Sequence, residues 1–437
     1  MLRRSLITAG SLAAAFALTT SSFAQDEAPQ VASIIHAGRL LADPATGRVL
    51  TQQSILVGAD GRVLGIEAGY AERQGARIVD QRNRFVLPGL IDSHVHLTHE
   101  LGPGQLLDEV QMTESDAALQ GAGYARATLM AGFTTVADLG APNDAIFALR
   151  RAIAESRVPG PRIVASGAAV TPDGGHGDAN GFAPHVVDVL RSPAACSGAD
   201  SCRRATRRQI QAGADVIKIT ATGGVLSNTA AGVGQQLSDA ELAAIVDAAH
   251  AMGRRVTAHA HGVDGINAAL RAGVDSIEHG TYLDRESVRM LRQGNRYLVP
   301  TMMAGWWVGQ LAEQGGVLTP AQAEKARRVG PDLVRMVRFA AANNVRIAFG
   351  TDTGVSPHGM NAREFQLLVE AGFTPLQAIQ MATVNAADHL QLTGTAGRIA
   401  SGYAADIIAV DGDPLTDVST LMNMRFVMAR GAVHRAD

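Results

Sequence analysis

Leu87-Pro88-Gly89-Leu90-Ile91-Asp92-Ser93-His94-Val95-His96 is an apolar run that ends in two histidines one residue apart. Alternate residues of a strand share a face, so this spacing sets two imidazoles side by side where a strand gives way to its loop. Neutral imidazole is the commonest protein ligand for zinc-like metals. His-x-His by itself arises by chance. Its weight here comes from further ligand-type residues at the ends of later apolar runs. The runs cover 85–97, 134–139, 162–170, 215–220, 255–261, 276–279, 296–302 and 346–352, and amphipathic stretches such as 239–252, 263–272 and 321–343 lie between several of them. Eight strands alternating with helices predict an α/β chain whose residues 85–396 form a (β/α)8 TIM barrel. In such barrels the active site gathers where strands end and βα loops begin.

Working outward, residues 25–84 and 397–437 show short alternating strands broken by turn signals such as Ala59-Asp60-Gly61 and Asp411-Gly412-Asp413-Pro414. Neither piece has much core alone, so the two ends are expected to pair as one small β-sandwich beside the barrel. The chain has 437 residues, 46% hydrophobic and 18% charged, with a net charge of −3. That near balance gives no reason to expect a nucleic-acid partner. Residues 1–24 read as an export signal: basic Arg3 and Arg4, a small apolar stretch over 5–19, and a Ser22-Phe23-Ala24 cleavage site. The stretch is shorter than the roughly 20 residues a spanning helix needs, so cleavage near Ala24, a periplasmic or secreted protein and no stable membrane anchor are expected. In an exported chain, Cys196 and Cys202 are expected to close a local disulfide, since no further thiol or nearby histidine completes a metal site with them.

Taken in order, the strand ends carry His94 and His96; Lys218 within Val216-Ile217-Lys218-Ile219-Thr220; Thr257-Ala258-His259-Ala260-His261; Glu278-His279-Gly280; and Gly350-Thr351-Asp352. Each has an ordinary alternative. A strand histidine is often a hydrogen-bonded core residue, and a strand-end aspartate often caps a helix. Lys218 shares a face with Val216 and Thr220, and a buried unpaired ammonium is costly. A nucleophilic lysine would account for that residue alone, without the four histidines and the aspartate at matching ends. The coincidence of all six favours a metal site.

This arrangement resembles the amidohydrolase superfamily over nearly the whole mature chain. In its binuclear members the strand-four lysine is carboxylated by CO2. The resemblance implies that His94, His96 and Asp352 hold one divalent metal, His259 and His279 a second, and carboxylated Lys218 bridges them. Zinc is the default for such a ligand set, and Mn and Co fit it too. Two metals about 3.5–4 Å apart can acidify a shared water for attack on a carbonyl. Asp352 would then move the proton to the leaving amine.

Within the superfamily, Gly174-Gly175-His176-Gly177, Thr222-Gly223-Gly224-Val225, Ile277-Glu278-His279-Gly280-Thr281 and Pro357-His358-Gly359-Met360-Asn361 are similar to the dipeptidase-like group related to imidazolonepropionases. That implies cleavage of dipeptides or N-acyl amino acids, small-molecule substrates that include the amide of ochratoxin A in some relatives. Where several dipeptidases have a tyrosine that holds the substrate carboxylate, this chain has His261. His176 and His261 are candidates for stabilising an oxyanion or gripping a carboxylate, or are loop histidines around the site; His358 is a weaker substrate-binding candidate. A mononuclear deaminase, a lactonase or esterase, and an exported binding protein are the competing readings. Barrels of this family often form homo-oligomers.

Overall fold

The computed structural model describes residues 30–227 and 232–437. The expected export signal, 1–24, lies outside them. The described strands are β1 Val31–Leu40, β2 Leu50–Gly58, β3 Val63–Ala68, β4 Arg77–Pro88, β5 Leu90–Val95, β6 Phe133–Asp138, β7 Arg162–Ala165, β8 Thr171–Pro172, β9 Ala195–Cys196, β10 Ile217–Thr220, β11 Val256–Ala260, β12 Ser276–His279, β13 Tyr297–Val299, β14 Arg346–Ile347, β15 Ile407–Val410, β16 Met424–Ala429 and β17 Ala432–Ala436.

All eight runs read from the sequence contain strands that pair in parallel. They form two sheets, β5-β6-β7 and β10-β11-β12-β13-β14. Every residue of β10, β11 and β12 is buried, as expected of parallel strands covered on both faces. Helices connect them where the apolar periodicity placed them. Ser238 opens the helix Asp239–His250 with a reciprocal capping box to Glu241. The helix Val263–Ala272 stops at Gly273, whose φ of 102° is left-handed and suits glycine.

The eight strands differ from the expected single barrel ladder in one respect: two ladders are present, joined by backbone hydrogen bonds on both sides. On one side the Val170 N–H donates to the Lys218 carbonyl and the Thr220 N–H to the Val170 carbonyl. On the other, the Ser93 and His96 N–H groups donate to the Phe349 and Thr353 carbonyls, and the Asp352 N–H donates to the His94 carbonyl. The second join is irregular because Asp352 itself sits at φ 59°, outside strand geometry. The ladder breaks where a site residue turns inward.

The two chain ends meet, but as one sheet rather than two stacked ones, in the order β17-β16-β15-β4-β1-β2-β3. That sheet curls. The Val63 N–H at the start of β3 donates to the Tyr403 carbonyl, and the Gly402 N–H donates back to Val63. Ile35, Ile55, Val63, Val86, Ile407, Phe426 and Met428 form its enclosed core, drawn from both ends of the chain. Curling lets a single sheet cover the apolar face for which a second sheet was expected. β4 runs through Gly89 directly into β5, so this sheet feeds the strand that carries His94. Cys196 and Cys202 are joined by a disulfide, both buried. Among the described residues no helix is long and apolar enough to cross a membrane.

Candidate metal centre

Strand register explains why residues far apart in sequence converge. Thr220 stands beside His259, His259 beside Glu278, and Ala260 beside His279. Lys218, His259 and His279 therefore rise from adjacent strands at one end of the sheet. His94 and Asp352 reach the same place from the irregular join. Gly350 permits that approach, because a Cβ there would lie 2.3 Å from Val299 Cγ1 and 3.1 Å from His94 Cβ.

Each histidine is held through one ring nitrogen. His94 Nδ1 lies 2.8 Å from Glu278 Oε2, and His96 Nδ1 lies 2.8 Å from the Gly140 carbonyl. His279 Nδ1 meets Thr301 Oγ1 at 2.6 Å, and His261 Nδ1 meets Thr281 Oγ1 at 2.7 Å. A partner on one nitrogen fixes the ring and leaves the other nitrogen for a ligand, which is the usual construction around protein-bound metals. The remaining nitrogens converge. Asp352 Oδ1 is 3.0 Å from His96 Nε2 and 3.4 Å from His94 Nε2. Ligand-type atoms of His94, His279 and Asp352 lie within 4.8 Å of one another, and so do those of His259, His261 and His279. Two non-glycine residues at strand ends, His279 at φ 66° and Thr301 at φ 49°, join Asp352 in the left-handed region, where backbone strain clusters at functional sites.

Lys218 lies inside this ring, 4% exposed, with Nζ 3.1 Å from His94 Nε2. Among the described residues it makes no ion pair. Burial lowers its pKa, against the pull of the Glu278, Asp352 and Asp138 charges. Burial likewise holds His259 and His279 well below the ordinary histidine range, helped by their imidazole neighbours. Burial and the His176 charge push His261 down to about 3, and burial and the Lys218 charge push His176 down to about 4. These shifts favour the neutral form of all four rings, which keeps a lone pair. Asp352 differs: burial opposes its ionisation, but His94, His96 and His279 hold its carboxyl far below the usual range. His96 is also disfavoured by burial, yet the Asp352 hydrogen bond and charge, with Asp138, raise its pKa above ordinary. Anchored, convergent imidazoles around a carboxylate fit divalent metals.

The structure brings together His94, His96, Lys218, His259, His261, His279 and Asp352. His176 adjoins them, its ring centroid 4.2 Å from that of His259. It packs so tightly on Gly224 that a Cβ there would fall 2.3 Å from the imidazole. His358 stands apart. Its nitrogens meet Glu100 Oε2 at 3.0 Å and the His96 carbonyl at 3.1 Å, and its ring stacks on Tyr124. It clasps two loops and has no ring nitrogen left for a substrate.

Sequence reading missed the buried acids behind the site. Asp92 accepts from the Thr351 hydroxyl, the Asn361 amide and the His94 N–H, and burial raises its pKa to about 6. Glu364 accepts from the N–H groups of Met302 and Met303, directly after Thr301, and burial pushes it up to about 8. The signal for Glu278 was its place beside His279 in an otherwise apolar strand. Asp92 offered the same signal beside His94. Glu364 offered none.

Comparison with known proteins agrees with this geometry. The chain is 31% identical over 423 residues to ochratoxinase from Aspergillus niger, covering 90% of this chain and 84% of that one. A crystal structure of a Xaa-Pro dipeptidase with methionine bound in its active site superposes with a TM-score of 0.87 at 36% identity, over 92% of this chain and 100% of that one. A prolidase complexed with N-methylphosphonate-L-proline matches with a TM-score of 0.83 at 29% identity, over 93% and 100%. Residues 85–433 match the model of the amidohydrolase family, so all eight barrel strands, both inter-strand joins and the β15 and β16 strands of the flanking sheet fall within it, and the chain belongs to that family.

Proposed function

We propose that the protein is a binuclear metal-dependent hydrolase of amide bonds in dipeptides or N-acyl amino acids. The observation that carries this reading is Lys218, buried and without an ion pair among the described residues, between two groups of side chains that could hold a metal. A neutral buried amine can attack CO2 and lose one proton, forming a C–N bond and replacing a costly cation with an anion. In this reading His94, His96 and Asp352 would hold one ion, His259 and His279 the other, and a carboxylated Lys218 would supply a further anionic ligand. When bound, two divalent ions, zinc by default, supply the Lewis acidity that polarises a carbonyl and acidifies a water.

The chain's own groups do the rest. Asp352 stays ionised and close to both His94 and His96, so it accepts a proton from the attacking water and passes it to the departing amine nitrogen. His176 stands at the edge of the cluster with a buried Nδ1 that has no partner among the described residues, a polar atom suited to meet a substrate oxygen. The substrate class follows the relatives: an ochratoxinase, a Xaa-Pro dipeptidase and a prolidase all point to an amide whose amine side is an amino acid. Export is part of the proposal, supported by the Cys196–Cys202 disulfide, which oxidising compartments preserve.

The test is amino-acid release from zinc-loaded protein, read by mass spectrometry. The panel spans Pro, Arg, Lys and Phe at the C-terminal position and includes the Phe amide of ochratoxin A. Release confined to one side-chain class is expected. Silence across the panel, with two metals bound, would move the assignment to esters and lactones.

A further inference from the structure

We infer that Glu364 is a positioning residue for His279: it caps the helix Met302–Gln314 in place of Thr301, and so leaves the Thr301 hydroxyl to hold the His279 ring. The inference rests on the reading of this site as a metal centre and adds to it a residue that acts only through another side chain.

A threonine that opens a helix normally caps it, its hydroxyl accepting a backbone N–H of the first turn. Thr113, Thr319 and Thr374 each do so. Thr301 does not. It stands at φ 49° and ψ 47°, left-handed rather than extended, and its side chain accepts nothing from the helix it opens. The hydroxyl is used elsewhere: it donates to the Pro300 carbonyl at 2.8 Å and lies 2.6 Å from His279 Nδ1. With its hydrogen on Pro300, the oxygen accepts from the ring, so His279 carries its proton on Nδ1 and keeps the Nε2 lone pair. The helix would then begin with unpaired N–H groups in a buried place, a costly arrangement. Glu364, fully buried and 62 residues beyond Met302, removes that cost. Its two carboxyl oxygens accept from the Met302 N–H at 3.1 Å and the Met303 N–H at 2.6 Å, while the Ala304 N–H donates to the Thr301 carbonyl. Take Glu364 away, and the acceptor nearest to those donors in sequence is the Thr301 hydroxyl. Using it would turn Thr301 toward cap geometry and away from His279.

Two readouts test this in Glu364→Ala, Glu364→Gln, Thr301→Val and the double variant Glu364→Ala with Thr301→Val. The first is metal: zinc content at equilibrium with graded zinc buffers, and the absorption spectrum of cobalt-loaded protein. Loss of an outer partner of a metal ligand costs about 10–100-fold in affinity. Thr301→Val is expected to weaken one of the two ions within that range and Glu364→Ala to weaken the same ion about 10-fold, both with a changed cobalt spectrum. The double variant should lose no more than Thr301→Val alone, because both substitutions act on one ring. Glu364→Gln keeps one acceptor oxygen. It is expected to fall between Glu364→Ala and wild type, and it carries the test if the alanine variant fails to fold. The second readout needs no metal. In chelated protein with isotope-labelled histidines, the Nδ1–H of His279 is identified by nuclear magnetic resonance from its loss in Thr301→Val. It should exchange faster with solvent in Glu364→Ala. Additive losses in the double variant would overturn the inference. So would Glu364 variants that lower unfolding stability yet leave zinc affinity, cobalt spectrum and N–H exchange as in wild type. Wild type that binds no zinc would sink the reading of the site as a metal centre, and the exchange measurement would still decide the role of Glu364.

Discussion

His94 and His96 face a carboxylate and are backed by carboxylates, Asp352 in front with Glu278 and Asp138 behind, whereas His259, His261 and His279 are held by a carbonyl and two hydroxyls. The first side carries its own countercharge. The second is a pack of neutral rings that gain nothing from each other until a cation arrives. Building the two sides so differently gives one site an anion-rich half and a nitrogen-rich half.

The contrast can be broken at several points. Asp352→Asn removes the mobile carboxylate, and kcat is expected to fall by about 10²–10⁴-fold, the range of a lost acid–base group. A near-wild-type kcat on any substrate that wild type cleaves would remove Asp352 from proton transfer. Zinc comes next: if ions bind only the folded chain, zinc at about a thousand times its dissociation constant adds about 4 kcal/mol to unfolding stability. Denaturation curves with zinc and with chelator should separate by that amount, and superimposed curves would mean that the neutral half holds no ion.

Glu364 sharpens the comparison from behind the nitrogen-rich half. Burial pushes its pKa to about 8, while an unfolded glutamate titrates near 4.3. The folded chain therefore keeps a proton that the unfolded chain releases. The stability this group contributes is complete below about pH 4.3 and falls as pH rises toward 8, by a few kcal/mol at most. Glu364→Gln, which cannot titrate, should flatten the stability slope of chelated protein between pH 5 and 8, whatever it does to the absolute value. An unchanged slope would show that the buried acid is ionised after all.

Glu278→Gln acts on the opposite half. The His94 Nδ1 contact to Glu278 Oε2 loses its charge, and affinity for one ion is expected to fall about 10–100-fold. Equal weakening of both ions would erase the distinction between the halves. The smallest effect is assigned to His358→Ala. It strips a partner from Glu100 and should cost about 1–3 kcal/mol of stability with metal content intact. A lost metal would place the His358 clasp inside the site instead.

Much of this was legible in the chain. Eight apolar runs alternating with helical stretches, with His94, His96, Lys218, His259, His279 and Asp352 in or near their ends, follow from the period of two along a strand and from where barrels put their chemistry. The contacts that tune those residues were not. Glu278 reaches His94 across 184 residues of sequence, and Asp92 reaches Asn361 across 269. Such pairs depend on register and loop path, which no local pattern encodes. The curled single sheet escaped for the same reason, since alternation marks a strand but does not name its neighbour. His358 looked like a binding residue because its Gly-containing loop was visible and its partners Glu100 and Tyr124 were not.

The strand β4 has one further consequence, for the timing of synthesis. It lies between β1, made before it, and β15, made only after the whole barrel, and pairs Pro88 with Ile407 and Phe85 with Val410. The Gly89 N–H, at the hinge into β5, which carries His94, also donates to the Asp406 carbonyl. Until β15 leaves the ribosome, β4 lacks its partner on one edge and the entry to β5 lacks its Asp406 contact. Nascent chains expose that edge for most of translation, an invitation to wrong pairing. Deleting residues from 407 onward should therefore yield aggregates rather than a weaker enzyme.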